Sequence, residues 1–427
     1  MQTTTNPNAG QPRREALARG HAYLKAIPIG LLALGGMAVG SATEQTLSVA
    51  STWQLPREPK AVCFALSPDA DSLALMRTNG EVEIWSTLTH QPLRKVAAEA
   101  KPNDRFALSL LFSPDGKWLA ILSGGPLPVI SAAGGTNGIA IGESGEEFHR
   151  VRFSGDGRRL LVAGKTERVI GLPGGERIGV FQAQSPGVAG RPVLRPLSRH
   201  GQPPRPIRSW SCALSPDGSE VALGQQFYEV ERWDVATGEC RGFVKLSAAA
   251  LLSTSHQVSA LNYAPSGGRL VAVLNGNQWD VALAERDGTW RTLLFQTPLG
   301  QKRSDYRRAI KDAFFTPDGK EIVLVAEKLE VGKGPLGALS AKSVGAEVQF
   351  LDVVTGVVTR RLEGPRACFF SQAWVSADGR RLMVLQRSYT MTPRTHAERQ
   401  AQHLLEANCA AALLTVPLDR HSYASPP

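Results

Sequence analysis

The sequence predicts an all-β chain in which one four-stranded antiparallel sheet is repeated seven times. Three observations predict it. The first is a turn signature that recurs at Ser67-Pro68-Asp69, Ser113-Pro114-Asp115-Gly116, Ser154-Gly155-Asp156-Gly157, Ser215-Pro216-Asp217-Gly218, Ala264-Pro265-Ser266-Gly267, Thr316-Pro317-Asp318-Gly319 and Ser376-Ala377-Asp378-Gly379. Proline presets φ for the first central position of a turn, aspartate bonds its own backbone, and glycine accepts positive φ. The second is that each copy lies between short apolar runs, as in Ser211-Cys212-Ala213-Leu214 before Asp217 and Val221-Ala222-Leu223 after it, which marks a β-hairpin. The third is a further run that ends on a large side chain and a short polar one. It is seen in Val82-Glu83-Ile84-Trp85-Ser86, Val230-Glu231-Arg232-Trp233-Asp234, Gln278-Trp279-Asp280 and Val348-Gln349-Phe350-Leu351-Asp352. Two of these lead into Thr237-Gly238 and Thr355-Gly356, a second turn before a fourth strand.

A repeat of strand, Ser-Pro-Asp-Gly, strand, turn, strand ending in Trp-Asp, Thr-Gly turn and strand resembles the WD-repeat β-propellers, whose blades run about 40–45 residues. The resemblance spans residues 46–420. The Gly-His dipeptide that opens a standard WD repeat is missing, and Trp-Asp survives in two copies, Trp233-Asp234 and Trp279-Asp280. The chain is therefore similar to degenerate, bacterial-style WD-like propellers and to the propellers of the periplasmic Tol system. The resemblance implies a seven-bladed β-propeller of four-stranded antiparallel blades, closed by an N-terminal strand. It also implies protein–protein interaction as the function.

Residues 1–42 come first. Arg13, Arg14, Arg19 and Lys25 against Glu15 give this segment +3 of the chain's formal +10 and leave +7 for the rest. A basic flank, the apolar run 26–42 and small residues at Gly40-Ser41-Ala42 read as a secretory signal or a membrane anchor. The expected location is therefore periplasmic, or membrane-anchored and facing the periplasm, with the cytoplasm as the runner-up. The mild basic bias suits anionic partners or plain solubility, and no specific nucleic-acid binding is expected.

Residues 43–60 contain a strand-like run, Thr46 to Leu55, which is expected to complete the last blade and so pair two open sheet edges. The blades then fall at about 61–97, 106–147, 149–181, 209–247, 257–296, 310–363 and 368–420, with a loose tail at 421–427. Insertions are expected near 124–147, 182–208, 328–346 and 388–408. Segment 182–208 carries Arg191, Arg195, Arg199, Arg205 and Arg208 among six prolines, a composition that resists both strand pairing and burial. It reads as a partner-docking loop or as a tolerated insertion. Residues 301–311, with Lys302, Arg303, Arg307 and Arg308, read as a second basic loop. Val331-Gly332-Lys333-Gly334 lacks the spacing of a phosphate loop.

No catalytic motif is present. The eight histidines form neither H-x-H nor H-E-x-x-H, and no G-x-S-x-G elbow occurs. Five cysteines without C-x-x-C spacing argue against zinc, and a Cys212–Cys240 bridge within one blade stays open. The Asp repeated in each turn is read as a turn stabiliser. The expectation is a monomeric, non-catalytic scaffold without a cofactor, binding protein partners through its long loops. The alternative is an exported propeller hydrolase or lactonase with a metal in its central channel.

Overall fold

The computed structural model describes residues 44–56, 61–96, 108–123, 126–134, 138–143, 146–181, 209–226, 228–246, 257–275, 280–285, 287–293, 306–333, 339–365, 368–388 and 411–418. The described residues form seven antiparallel blades in a ring. Each blade is ordered first to fourth strand from the ring's centre outward. Blade one uses Ala61–Leu66, Ser72–Arg77, Val82–Ser86 and Pro92–Val96, and blade four uses Ser211–Leu214, Glu220–Gly224, Glu229–Asp234 and Cys240–Lys245. Blades two, three and five repeat the plan from Ser109, Arg150 and Gln257.

Seven hydrophobic clusters hold the ring together, each shared by two neighbouring blades. Blades one and two meet over Met76, Ile84, Leu110 and Leu119, and blades three and four over Leu161, Phe181, Leu223 and Trp233. The last cluster joins blade seven to blade one through Met383, Leu385, Phe64 and Leu73. A closed ring leaves no blade face unpaired, so every blade buries both of its apolar faces.

The N-terminal strand closes the ring as expected. Ser51–Gln54 pairs antiparallel with Ala411–Pro417 as the outer strand of blade seven. The sequence shows a single run here, but the structure divides it. Gln45–Thr46 first pairs in parallel with Val358–Glu363, so blade six gains a fifth strand. Trp53 then stacks on His90 of blade one, with ring centroids 4.6 Å apart and 5° between planes. One short segment thus ties blades six, seven and one.

The recurring turns share one geometry. Ser or Thr donates its hydroxyl to the Asp two residues on, at 2.5–2.7 Å, in six of the seven turns. In all seven, the N–H three residues after the Ser, Thr or Ala donates back to that residue's carbonyl at 2.7–3.0 Å. The donor's φ lies between 61° and 74°. Glycine fills this left-handed position in six turns. Ala70 fills it in blade one, where its methyl is fully buried in the cluster joining blades seven and one.

Three stretches differ from expectation. Residues 124–147 are not mainly an insertion, because Leu127–Ser131 and Gly138–Ile141 are the two outer strands of blade two. Residues 328–346 lie largely in a long hairpin, in which Glu321–Lys333 pairs with Leu339–Asp352 out to Lys333↔Leu339. Residues 306–311 are not a loop but the start of blade six's first strand, Tyr306–Phe315, paired with that same hairpin. The ladder hydrogen bonds outweigh the local charge that suggested a loop. Cys212 and Cys240 are unpaired and sit on the first and fourth strands of blade four, with two strands between them.

Candidate functional site

The alternation of strand directions gives the ring two unlike faces. Each first strand runs toward its Ser-Pro-Asp-Gly turn, and in blades one to six the third strand runs toward its link to the fourth strand on the same face. Here the Asp234 carboxylate accepts the Ala236 and Thr237 N–H groups at 2.8 and 2.9 Å, and Asp352 repeats the motif with Val354 and Thr355. Neighbouring first turns also bond to each other on this face in two places. In five copies the second residue is proline and has no N–H. The two exceptions, Gly155 and Ala377, donate theirs to the Pro216 and Pro68 carbonyls of the next blade, each at 2.8 Å. The departures from the repeat are therefore used as inter-blade hydrogen bonds.

The opposite face receives every other connection. Phe181 and Ser209, which flank residues 182–208, lie there, the long hairpin of blade six points that way, and Ser388 and Ala411, which flank residues 389–410, lie on the same side. The residues Arg191, Arg195, Arg199, Arg205 and Arg208 lie outside the described residues, as do Lys302 and Arg303. Arg307 and Arg308 are on the first strand of blade six, opposite Leu329 and Lys328. The structure therefore does not gather the two basic stretches into one described site.

The centre of the ring holds charge that the sequence reading missed. Blade three's first strand reads Arg150-Val151-Arg152-Phe153. Val151 and Phe153 point into the core shared with blade two, so by alternation Arg150 and Arg152 take the other side, half-buried. Arg152 donates Nη1 to its neighbour's carbonyl, Val151 O, at 2.9 Å, while its Nε is buried without a hydrogen-bond partner. Arg150 reaches only Ser209 O, at 3.5 Å. Burial pulls the Arg150 pKa below its usual value, Cys212 opposes that, and repulsion from the adjacent Arg152 adds a smaller downward push.

Asp312, on blade six, lies close enough to Arg152 to feel its charge. It accepts Ala313 N–H at 2.9 Å and Asn262 Nδ2 at 3.3 Å, and Asn262 also donates to Ala313 O at 2.8 Å. Burial raises the Asp312 pKa, and the largest opposing influence is Arg152. Blades three and six do not neighbour each other round the ring, so Arg152 and Asp312 interact across its centre. Cys63 and Cys212 also line first strands. Burial pushes the Cys63 thiol up to about 12 and Cys212 upward as well, which keeps both protonated and unreactive. Among the described residues no three His, Cys, Asp or Glu side chains converge as metal ligands.

No protein-family model matches the chain, and no curated protein matches it. What stands is the fold, a seven-bladed β-propeller. Among the described residues no helix is long and apolar enough to cross a membrane, and residues 26–42 lie outside them.

The residues at the centre left one trace in the sequence. In Arg150-Val151-Arg152-Phe153 charge alternates with apolar side chains, whereas the same strand of blade four reads Ser211-Cys212-Ala213-Leu214. Asp312 and Asn262 gave no comparable signal, because their meeting depends on ring closure.

Proposed function

We propose that this propeller is a non-catalytic protein-interaction scaffold of the WD-like or Tol-like kind, exported behind or anchored by residues 26–42. It binds its protein partner on the face that carries the long connections. One observation carries the reading. The two faces are built differently: one is a set of seven near-identical tight turns, two pairs of which bond across blades, and the other receives the long connections. Rigid strands holding variable connections are the arrangement in which loops carry recognition. The arginines of 182–208 suit a partner with acidic residues.

Site-specific photo-crosslinking in the native host tests the face. A photoreactive residue replacing Gln182 or Gly201 reports on the connection-bearing face, and one replacing Leu88 or Val354 on the turn face. One dominant adduct from the first pair, absent from the second, is the expected result. The same adduct from the turn face alone would overturn the assignment. Intact mass of the exported and membrane fractions tests the location, because a cleaved signal leaves a soluble chain starting near residue 43.

A further inference from the structure

We propose that the centre of the ring binds a small molecule through one oxyanion group, a carboxylate or a phosphate, held by Arg150 and Arg152 of blade three. This is independent of the scaffold reading, since it concerns the channel and not the connections.

The argument begins with alternation. Residues two apart on a strand share a side, so two guanidinium groups are displayed together at roughly 7 Å backbone spacing, within reach of one oxyanion. Neither arginine forms an ion pair among the described residues. The bonds they do make, Arg152 to Val151 O at 2.9 Å and Arg150 to Ser209 O at 3.5 Å, satisfy two of their ten N–H groups. Arg152 Nε is buried with no hydrogen-bond partner among the described residues. Two like charges side by side in a half-buried setting repel each other, and an anion between them removes that cost. A guanidinium is also the side chain best shaped to take an oxyanion with two parallel N–H bonds.

The surroundings narrow the ligand. Asp312 on the far side does not neutralise the arginines by contact, being occupied by Asn262 and Ala313. It places a carboxyl group opposite Arg152. A ligand with one anionic end and a neutral or hydrogen-donating body suits that arrangement, and one with anionic groups at both ends does not. A ligand small enough to enter the centre is required, because the arginines lie on inner strands and not on the connections.

The test uses the full chain with inorganic phosphate and acetate as probes, titrated at constant ionic strength against chloride. Saturable binding of phosphate alone points to a phosphorylated ligand, of acetate alone to a carboxylic acid, and of both to the shared oxyanion chemistry. Each supports the proposal if Arg152→Gln weakens binding about tenfold or more and the Arg150→Gln, Arg152→Gln pair abolishes it. Phenylglyoxal labelling of the unmutated protein gives a measurement that needs no variant. Phosphate or acetate should slow modification of Arg150 and Arg152, as read by peptide mass, but leave Arg241 unprotected. No saturable binding of either probe, or binding unchanged in the double variant, would overturn the proposal. So would protection by an acidic peptide but by neither small anion, which would assign the arginines to a protein partner.

Discussion

Blades four, five and six treat one position in three ways. In blade four's third strand the carboxylate of Glu231, 1% exposed, accepts the Trp233 indole N–H at 3.0 Å. Blade one has the same pair, with Trp85 Nε1 to Glu83 at 2.9 Å, and adds Arg77, whose Nε and Nη2 reach Glu83 at 3.1 and 2.7 Å. Blade five has Ala282 and Ala284 at the matching positions and keeps neither partner, because Asp280 opens its third strand and does not end it, contrary to the reading of Trp279-Asp280 as a strand-ending pair. Blade six has Gln349 and Leu351, so it keeps a polar side chain but has lost the indole. Gln349 is fully buried, and both amide atoms lack a hydrogen-bond partner. Removing both members of a buried polar pair is nearly neutral, whereas removing one leaves a group that has given up water for nothing. The repeat has thus decayed cleanly in blade five and incompletely in blade six.

Three substitutions break or repair this comparison. Glu83→Ala has the largest expected effect, because it leaves the Arg77 guanidinium buried at 1% exposure without its carboxylate. Breaking a buried pair from one side costs about 3–5 kcal/mol, read as a lower urea midpoint. Trp233→Phe keeps the ring that packs edge-on against Phe181 but removes the donor to Glu231. It is expected to cost about 1.5–3 kcal/mol. Gln349→Leu goes the other way. It completes in blade six what blade five shows and should stabilise the protein by about 1 kcal/mol or more. A lower midpoint for that variant would show that the amide is satisfied by something the apolar replacement cannot supply.

The blades were legible because their information is local. Each turn is specified within four residues, and the positive φ at Gly116, Gly157, Gly218, Gly267, Gly319 and Gly379 is what glycine there announces. Closure by an N-terminal strand was also readable, from an unassigned run ahead of the first repeat. Pairing partners far away in the chain were not readable. Gly138–Ile141 follows a glycine-rich stretch and becomes a strand because Leu127–Ser131 offers it a ladder. Arg307 and Arg308 are strand residues because Lys328 and Leu329 lie opposite them. The central charges needed the ring itself, since Arg152 and Asp312 are 160 residues apart in the chain and meet only across the axis.

The smallest expected effect concerns the turns, where blade four again differs from blade five. In blade four the Ser215 hydroxyl and the Ser219 N–H hold Asp217 below its ordinary value of 3.8. Asp378 is lowered in the same way, by Ser376 and the Arg380 N–H. For Asp115 and Asp156 burial pushes upward, but the Ser113 and Ser154 hydroxyls and the following N–H groups outweigh it. Blade five has Ala264 and Ser266 instead and keeps only the backbone bonds of the turn, Gly267 N to Ala264 O and Ala264 N to Arg269 O, both 2.8 Å. A depressed folded-state pKa means that the unfolded chain binds the proton first. The stability contributed is therefore complete above the ordinary value and is lost as pH falls through the folded value. Asp217→Asn should cost about 0.5–1 kcal/mol at pH 7, and the gap to the parent should close below about pH 4. Installing the pair in blade five, with Ala264→Ser and Ser266→Asp together, should add a similar amount at pH 7 that disappears on acidification. Urea midpoints at pH 7 and pH 3 read both. A gain that persists at pH 3 would mean that the new side chains stabilise by packing, and that the carboxylate is not what braces the turn.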